Sequence, residues 1–390
     1  MDSLTKKITF ITGSALAGLV LLFVWFVTKP VTYHPTFNQP SEYPNLETQV
    51  NPWQEKIYGM IVSHHHYTEH LLSEYFLKLK NQDIERVVIL SPNHFNHGRG
   101  NITTGDGVYT TAFGKLDRDQ EFINQLVDTG LIIDNTTIAR EHGVLELVSY
   151  IEYIKPKAKI VPIVIKRQMP KAELDRLADF LIRNADDKTL VVASVDFSHH
   201  MTNDFAQFHD DLSVPVILGF DFSRVFSLEV DSRQSLYVLM KYMASKQAMK
   251  CEECVNTNYA LLSKDLENRD VTSYLFAVFV NGPAEKKNIR TVMRLPQDVS
   301  THEQLTTFLT QLAGDEGNEL KGFDFAVSHA ISGCQEIIPV KYAQGVERVK
   351  VMKNSKECLP EIYDKMSREE PGLLGLVFHD ENLIKKYILR

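Results

Sequence analysis

Ile57-Tyr58-Gly59-Met60-Ile61-Val62-Ser63 runs straight into His64-His65-His66-Tyr67, and Arg86-Val87-Val88-Ile89-Leu90 runs into Ser91-Pro92-Asn93-His94. Between them, Thr68 to Lys80 carries apolar residues at Leu71, Leu72, Tyr75, Phe76 and Leu79, the spacing of a helix with one buried face. Strand, helix and strand in that order make a βαβ unit, and its crossover sets the two strands parallel. Both C-terminal ends then point the same way, one or a few strand spacings of about 4.8 Å apart. His64 and His94 are therefore expected to meet.

The same pattern continues beyond this unit. Ala158 to Ile165 reads as a buried strand, Ala172 to Asn184 as a helix, and Lys188 to Ser194 as another strand, which empties into Val195-Asp196-Phe197-Ser198-His199-His200. Open parallel sheets place their sites at the C-terminal ends of strands, so Asp196 and His199 join the candidates. Glu141-His142-Gly143 opens a helix that ends before Pro156, and His142 at its start is expected to be kept neutral by the helix dipole. Helices over Asp204 to Phe220 and Asp231 to Ala248 and a strand over Val271 to Val280 complete the unit. No glycine-rich phosphate loop occurs, since the lone glycines of residues 97–107 read as turns.

The 390 residues are 44% hydrophobic and 24% charged, enough for one large or two medium cores. A net charge of −8 offers no basic field for a phosphate backbone, which argues against nucleic acid as a partner. Ile8 to Val27 carries no charge over 20 residues and is long enough to cross a bilayer core of about 30 Å. With Lys6 and Lys7 before it and Lys29 after it, it reads as an uncleaved signal anchor with the N-terminus cytoplasmic and the rest extracytoplasmic.

The domain plan that follows has four parts. A transmembrane helix occupies residues 1–29. A Pro-rich tether with Pro30, Pro35, Pro40, Pro44 and Pro52 occupies 30–54. The fold of 55–285 is α/β, a central, mostly parallel or mixed sheet flanked by helices. Residues 286–390 are expected to form a small C-terminal α/β domain, with a capping box at Ser300 and Glu303 opening a helix to Ala313, a second helix near Leu359 to Ser367, and strands at Gly322 to Ala330, Glu336 to Val340 and Leu373 to His379. Four cysteines, Cys251, Cys254, Cys334 and Cys358, permit two disulfides; Cys251-Glu252-Glu253-Cys254 is read as a disulfide, as two thiols, or as half a zinc or redox site.

Three stretches taken in order resemble the motifs of one family. Ile61-Val62-Ser63-His64-His65-His66-Tyr67 is similar to a Pro-His-Ala-Gly-Tyr motif, Ser91-Pro92-Asn93-His94-Phe95 to Gly-Pro-Ser-His-His, and Ser194-Val195-Asp196-Phe197-Ser198-His199 to Ser-Ser-Asp-Phe-Ser-His. Glu141-His142, Thr111-Ala112-Phe113-Gly114 and Asn258-Tyr259-Ala260 support the match, which covers residues 55–283. The family is Memo-like, called AmmeMemoRadiSam system protein B in prokaryotes, and is similar in fold to class III extradiol dioxygenases. The resemblance implies a metal held by His64, His94 and a third residue, which is a cysteine in Memo proteins and a glutamate in the dioxygenases. Here that position is Asp231, so the implied set becomes two histidines and a carboxylate, the donors of non-haem Fe(II) centres, with zinc as the other candidate. Ser63, His66 and Phe95 depart from the family pattern.

Each role has a plainer counterpart. Asp231 begins a helix and could be an N-cap, a ligand, or both. His199 matches the position of the dioxygenase base, against a supporting hydrogen-bonding role. Asp196 is expected to orient a histidine, and His142 to line the pocket. His65, His66, His70 and His97 are taken as solvated. The functions that follow are a metal-dependent oxidoreductase, a non-catalytic domain holding a small molecule or peptide in the same pocket, or a zinc-dependent hydrolase. The family name further implies partners from an AmmeMemoRadiSam system.

Overall fold

A computed structural model describes residues 30–200, 203–268 and 270–285, together with four short strands further along the chain. One eleven-stranded sheet dominates. Its strands are β1 (Thr32–Tyr33), β2 (Gly59–Val62), β3 (Arg86–Pro92), β4 (Ile102–Thr104), β5 (Val108–Thr110), β6 (Lys115–Arg118), β7 (Ile132–Ile133), β8 (Lys159–Ile165), β9 (Thr189–Ser194), β10 (Lys250–Asn258) and β11 (Ser273–Val280). In space they run β1-β5-β6-β8-β3-β9-β2-β11-β10, with β4 pairing both β7 and β8. The centre, β8-β3-β9-β2, is wholly parallel. Beyond β2, strands β11 and β10 are antiparallel. The sheet is therefore mixed around a parallel core, as the alternation of strand and helix patterns implies.

The parallel strands are apolar on both sides because helices cover both faces. Val88 and Leu90 of β3 face one cluster, where α6 (Lys171–Asn184) contributes Leu174, Leu177 and Leu181, and α8 (Arg233–Ser245) contributes Leu236, Leu239 and Met243. Val87 and Ile89 face the other, where α1 (Glu69–Lys78) brings Leu71, Leu72, Tyr75 and Phe76, and α5 (Val148–Ile154) brings Val148 and Ile151. The remaining helices are α2 (Gln120–Asp128), α3 (Asn135–Ile138), α4 (His142–Leu145), α7 (Asn203–Leu218) and α9 (Tyr259–Ser263).

Strands β2 and β3 are parallel and two spacings apart, within the range the sequence allowed, because β9 lies between them and pairs with both. One feature departs from the plan read in the sequence. The Pro-rich residues 30–54 are not an extended tether. Tyr33, Tyr43, Leu46 and Trp53 are buried in the core, and β1 pairs with β5. The prolines sit where they cost little, Pro40 and Pro44 opening short 3-10 turns that need no N–H there.

The membrane placement is also corrected. Among the described residues no helix is long and apolar enough to cross a membrane. The segment 8–27 that suggested it lies outside the described residues. In the C-terminal part, β12 (Thr291–Arg294) pairs antiparallel with β15 (Leu373–Leu376), and β13 (Val340–Tyr342) with β14 (Val346–Val349). The helices expected at 300–313 and 359–367 and the strand at 322–330 lie outside the described residues, as do Cys334 and Cys358. Cys251 and Cys254 are joined as a disulfide.

Candidate metal centre

Val62 and Ser194, the last residues of β2 and β9, are paired in register, so the chain leaves both strands at the same level. Two residues beyond each lie His64 and Asp196, both buried. The Ser194 hydroxyl stands 3.1 Å from His64 Nδ1, and the backbone N–H of His64 donates to Asp196 Oδ1 at 3.3 Å. With Nδ1 engaged, Nε2 is the free ligand atom of His64.

His94 follows β3 and is held in the same manner by a different group. Glu141 takes its backbone N–H on Oε2 at 3.1 Å and meets its Nδ1 with Oε1 at 2.6 Å. Glu141 is also the N-cap of α4, accepting from the N–H of Gly143 at 3.0 Å. A carboxylate on Nδ1 that leaves Nε2 facing inward is the usual outer support of a metal-binding imidazole.

The two Nε2 atoms converge on one oxygen. Asp231 Oδ2 is 3.3 Å from His64 Nε2 and 3.6 Å from His94 Nε2. Donors each about 2.1 Å from a common ion would stand at about this separation as neighbouring ligands. Asp231 is fixed by a reciprocal bridge to the loop after β9. Its N–H donates to the Asp196 carbonyl at 3.0 Å, and the Asp196 N–H donates to its Oδ2 at 3.1 Å. It does not cap α8, whose N-cap is Ser232, with its hydroxyl accepting from the N–H of Ser235 at 3.1 Å. Asp231 Oδ1 is buried and has no hydrogen-bond partner among the described residues. A buried carboxylate oxygen without a donor is costly unless something else satisfies it, and a cation fits.

His142 completes the cluster. Its ring stacks on His94 at 3.9 Å, and ligand atoms of His64, His94 and His142 all lie within 4.8 Å of one another. These three histidines could hold a metal ion. Partial burial, then the His94 and His64 rings, lower the His142 pKa to about 4, so it is neutral at pH 7. Neutrality was expected, but from a helix dipole; α4 has only four residues, and burial with the two neighbouring rings is the cause. His94 behaves oppositely. Burial disfavours its charge, yet the Asp231 and Glu141 carboxylates outweigh this and raise it to about 10. Burial also raises Asp196, but the facing His64 and His199, the Ser63 hydroxyl and His65 hold its carboxyl below the usual range.

His199 is not one of the three clustered histidines. It lies half-buried at the end of the loop after β9, with its ring 6.2 Å from His200, and it acts on Asp196 through charge. Two histidines taken as solvated are instead engaged. His65 Nδ1 is 2.7 Å from the Tyr274 hydroxyl, while His66 Nδ1 is 2.6 Å from Glu146 Oε1 and its ring stacks on Phe37 at 3.5 Å. Sequence reasoning gave no role to Glu141 or Ser194. Glu141 lay in the Glu141-His142 pair, and the need of a metal-bound imidazole for an acceptor on its second nitrogen was the signal that could have found it.

Comparison with known proteins agrees with the motifs. The profile described as Memo-like protein matches residues 41–272. A MEMO1 family protein of Nitrosopumilus maritimus is 28% identical over 185 residues, covering 46% of this chain and 67% of that protein. Relatives of the same description from Methanococcus maripaludis (29% over 181 residues; 44% of this chain, 63% of that protein) and Methanopyrus kandleri (32% over 147 residues; 35% and 50%) match similarly. The matched stretch thus spans between half and two thirds of these relatives. The crystal structure of an uncharacterized protein from Escherichia coli K12 aligns over 57% of this chain and 99% of that one at 11% identity, with a TM-score of 0.36, too loose a likeness to inform the fold. With the profile covering more than half of its length, the chain belongs to the Memo-like protein family.

Proposed function

We propose that His64, His94 and Asp231 form a metal centre that binds iron(II) and serves oxidative chemistry on a small substrate. The observation that carries this reading is the pairing of two convergent Nε2 atoms with a buried carboxylate whose Oδ1 has no donor. Two imidazoles and one carboxylate on one side of an ion are the donor set of non-haem iron(II) sites. Iron(II) bound there would supply open coordination positions for oxygen and substrate. Around it, Asp196 holds the His64 backbone, Ser194 and Glu141 orient the rings of His64 and His94, and neutral His142 lines the exposed side. His199, half-buried and acting on Asp196 through charge, would exchange a proton with a substrate hydroxyl.

The three-imidazole grouping of His64, His94 and His142 favours a second reading, a zinc centre that activates water for hydrolysis. Metal analysis of protein produced without an affinity tag separates the two. Near-stoichiometric iron after anaerobic isolation, with oxygen uptake on a substrate panel lost in His64→Ala, supports the first. Stoichiometric zinc with turnover under anaerobic conditions overturns it in favour of the second, and no retained metal overturns both.

A further inference from the structure

A second chemically competent site lies away from the histidine cluster, on the edge strand β10. Cys251 and Cys254 stand three residues apart with Cα atoms separated by 6.4 Å. In a regular strand three residues span about 10 Å and end on opposite faces. The register explains the closeness. Cys251 pairs with Phe279 and Glu253 with Val278, so Glu252 is an extra residue forming a bulge. The bulge resets the alternation. Cys251 packs on the core cluster that holds α6 and α8, whereas Glu253 bonds to Trp53 and Lys78 and Val255 packs on the opposite cluster. Cys254, between Glu253 and Val255, is thereby returned to the face of Cys251.

This bond contributes little as a staple. It closes only four residues, and stabilisation by a cross-link grows with the length of the loop closed. The backbone is already held on both sides of the bulge by pairing with β11, through Cys251 to Phe279 and Cys254 to Ala277. What the arrangement does provide is access. Among the described residues strand β10 ends the sheet, and Cys254 is exposed while Cys251 is partly buried. Exposed disulfides are the labile ones, and the attacked sulfur is the accessible one.

We infer that Cys251 and Cys254 form a reversible dithiol–disulfide site that exchanges with an external thiol, with Cys254 as the sulfur attacked. A thiolate of the reductant bonds to Cys254 Sγ. The Cys251–Cys254 bond breaks, and its electron pair leaves on Cys251 Sγ, which takes a proton from water. A second reductant thiolate attacks the reductant's sulfur in the mixed disulfide and releases Cys254, which is protonated in turn. Two electrons pass to the protein and the reductant leaves as its disulfide. Because the bulge keeps both sulfurs on one face, the dithiol is poised to close again when the oxidised reductant is in excess.

The test uses the full chain, folded, in glutathione buffers of about 1–10 mM total thiol, followed by acid quench, alkylation and peptide mapping, with far-UV circular dichroism and melting in parallel. The bond is expected to open and re-form within minutes as the ratio of reduced to oxidised glutathione is changed, with secondary structure intact. Cys251→Ser should take one glutathione on Cys254, and Cys254→Ser about tenfold less on Cys251. A bond that opens only after the chain is unfolded by denaturant, or equal glutathionylation of the two variants while both remain folded, would overturn the inference.

Discussion

Glu141 Oε1 stands 2.6 Å from His94 Nδ1, and the same carboxylate takes the backbone N–H of His94. One side chain thus holds both the backbone and the ring of a candidate ligand that follows a different strand. Such outer supports are worth about 10–100-fold in metal affinity. Glu141→Gln should therefore bind metal about tenfold or more weakly in a competitive chelator titration, with unfolding little changed because the amide oxygen can still cap α4. Unchanged affinity would reduce Glu141 to a helix cap.

Gly143 follows from the same geometry. A Cβ there would overlap the Ser91 hydroxyl and approach Glu141 Oε1 to 3.3 Å. Gly143→Ala should push α4 away from β3, cost about 1–3 kcal/mol, and weaken metal binding by displacing both Glu141 and His142. Thermal melting and chelator titration together check this. A variant that melts like the parent and binds metal equally contradicts the packing described.

The N-terminal stretch offers a stability test. Tyr43 is buried, packs edge-on against Tyr150 at 5.0 Å and donates its hydroxyl to the Phe37 carbonyl at 2.8 Å. Tyr43→Ala should cost about 3–5 kcal/mol in denaturant unfolding, the range for a buried aromatic side chain. A tether would tolerate the change without measurable loss.

Acid sensitivity has one assignable contributor. The Tyr237 hydroxyl donates to Asp175 Oδ1 at 2.5 Å and, with Lys171, lowers the Asp175 pKa to about 2. A folded-state pKa below the unfolded value gives stability that is present above the ordinary carboxylate pKa of about 4 and is lost as pH falls towards 2. The pair is partly solvated, so its contribution is on the order of 0.5 kcal/mol. Asp175→Asn should lower stability slightly at pH 7 and converge with the parent near pH 2. A difference that grows on acidification contradicts the assignment.

Much of this site was legible because its residues follow apolar strands. The runs before His64, His94 and Asp196 each fill both faces of a parallel sheet, and a polar residue just beyond such a run has a fixed address. The insertion of β9 between β2 and β3 was not legible, since strand order is a long-range property and both orders satisfy the local pattern. Residues 30–54 were misread because Tyr33, Tyr43 and Trp53 are buried one at a time, without periodicity, between prolines. Strand β10 was missed for a related reason. As an edge strand with a bulge it reads Lys-Cys-Glu-Glu-Cys-Val-Asn-Thr-Asn, and its cysteines drew attention to chemistry before structure. For Asp231 the sequence allows a cap, a ligand or both, and the cap is held by Ser232, a neighbour that local pattern does not distinguish from it.

The most direct measurement of the central claim is metal content per chain, with redox state, in untagged protein isolated anaerobically as wild type, Asp231→Ala and Asp231→Cys. The account predicts about one iron(II) per wild-type chain, a loss of at least tenfold in Asp231→Ala with the fold retained by circular dichroism, and recovery of binding in Asp231→Cys, which restores a donor at that position. Full metal occupancy in Asp231→Ala, or none in the wild type, would contradict it.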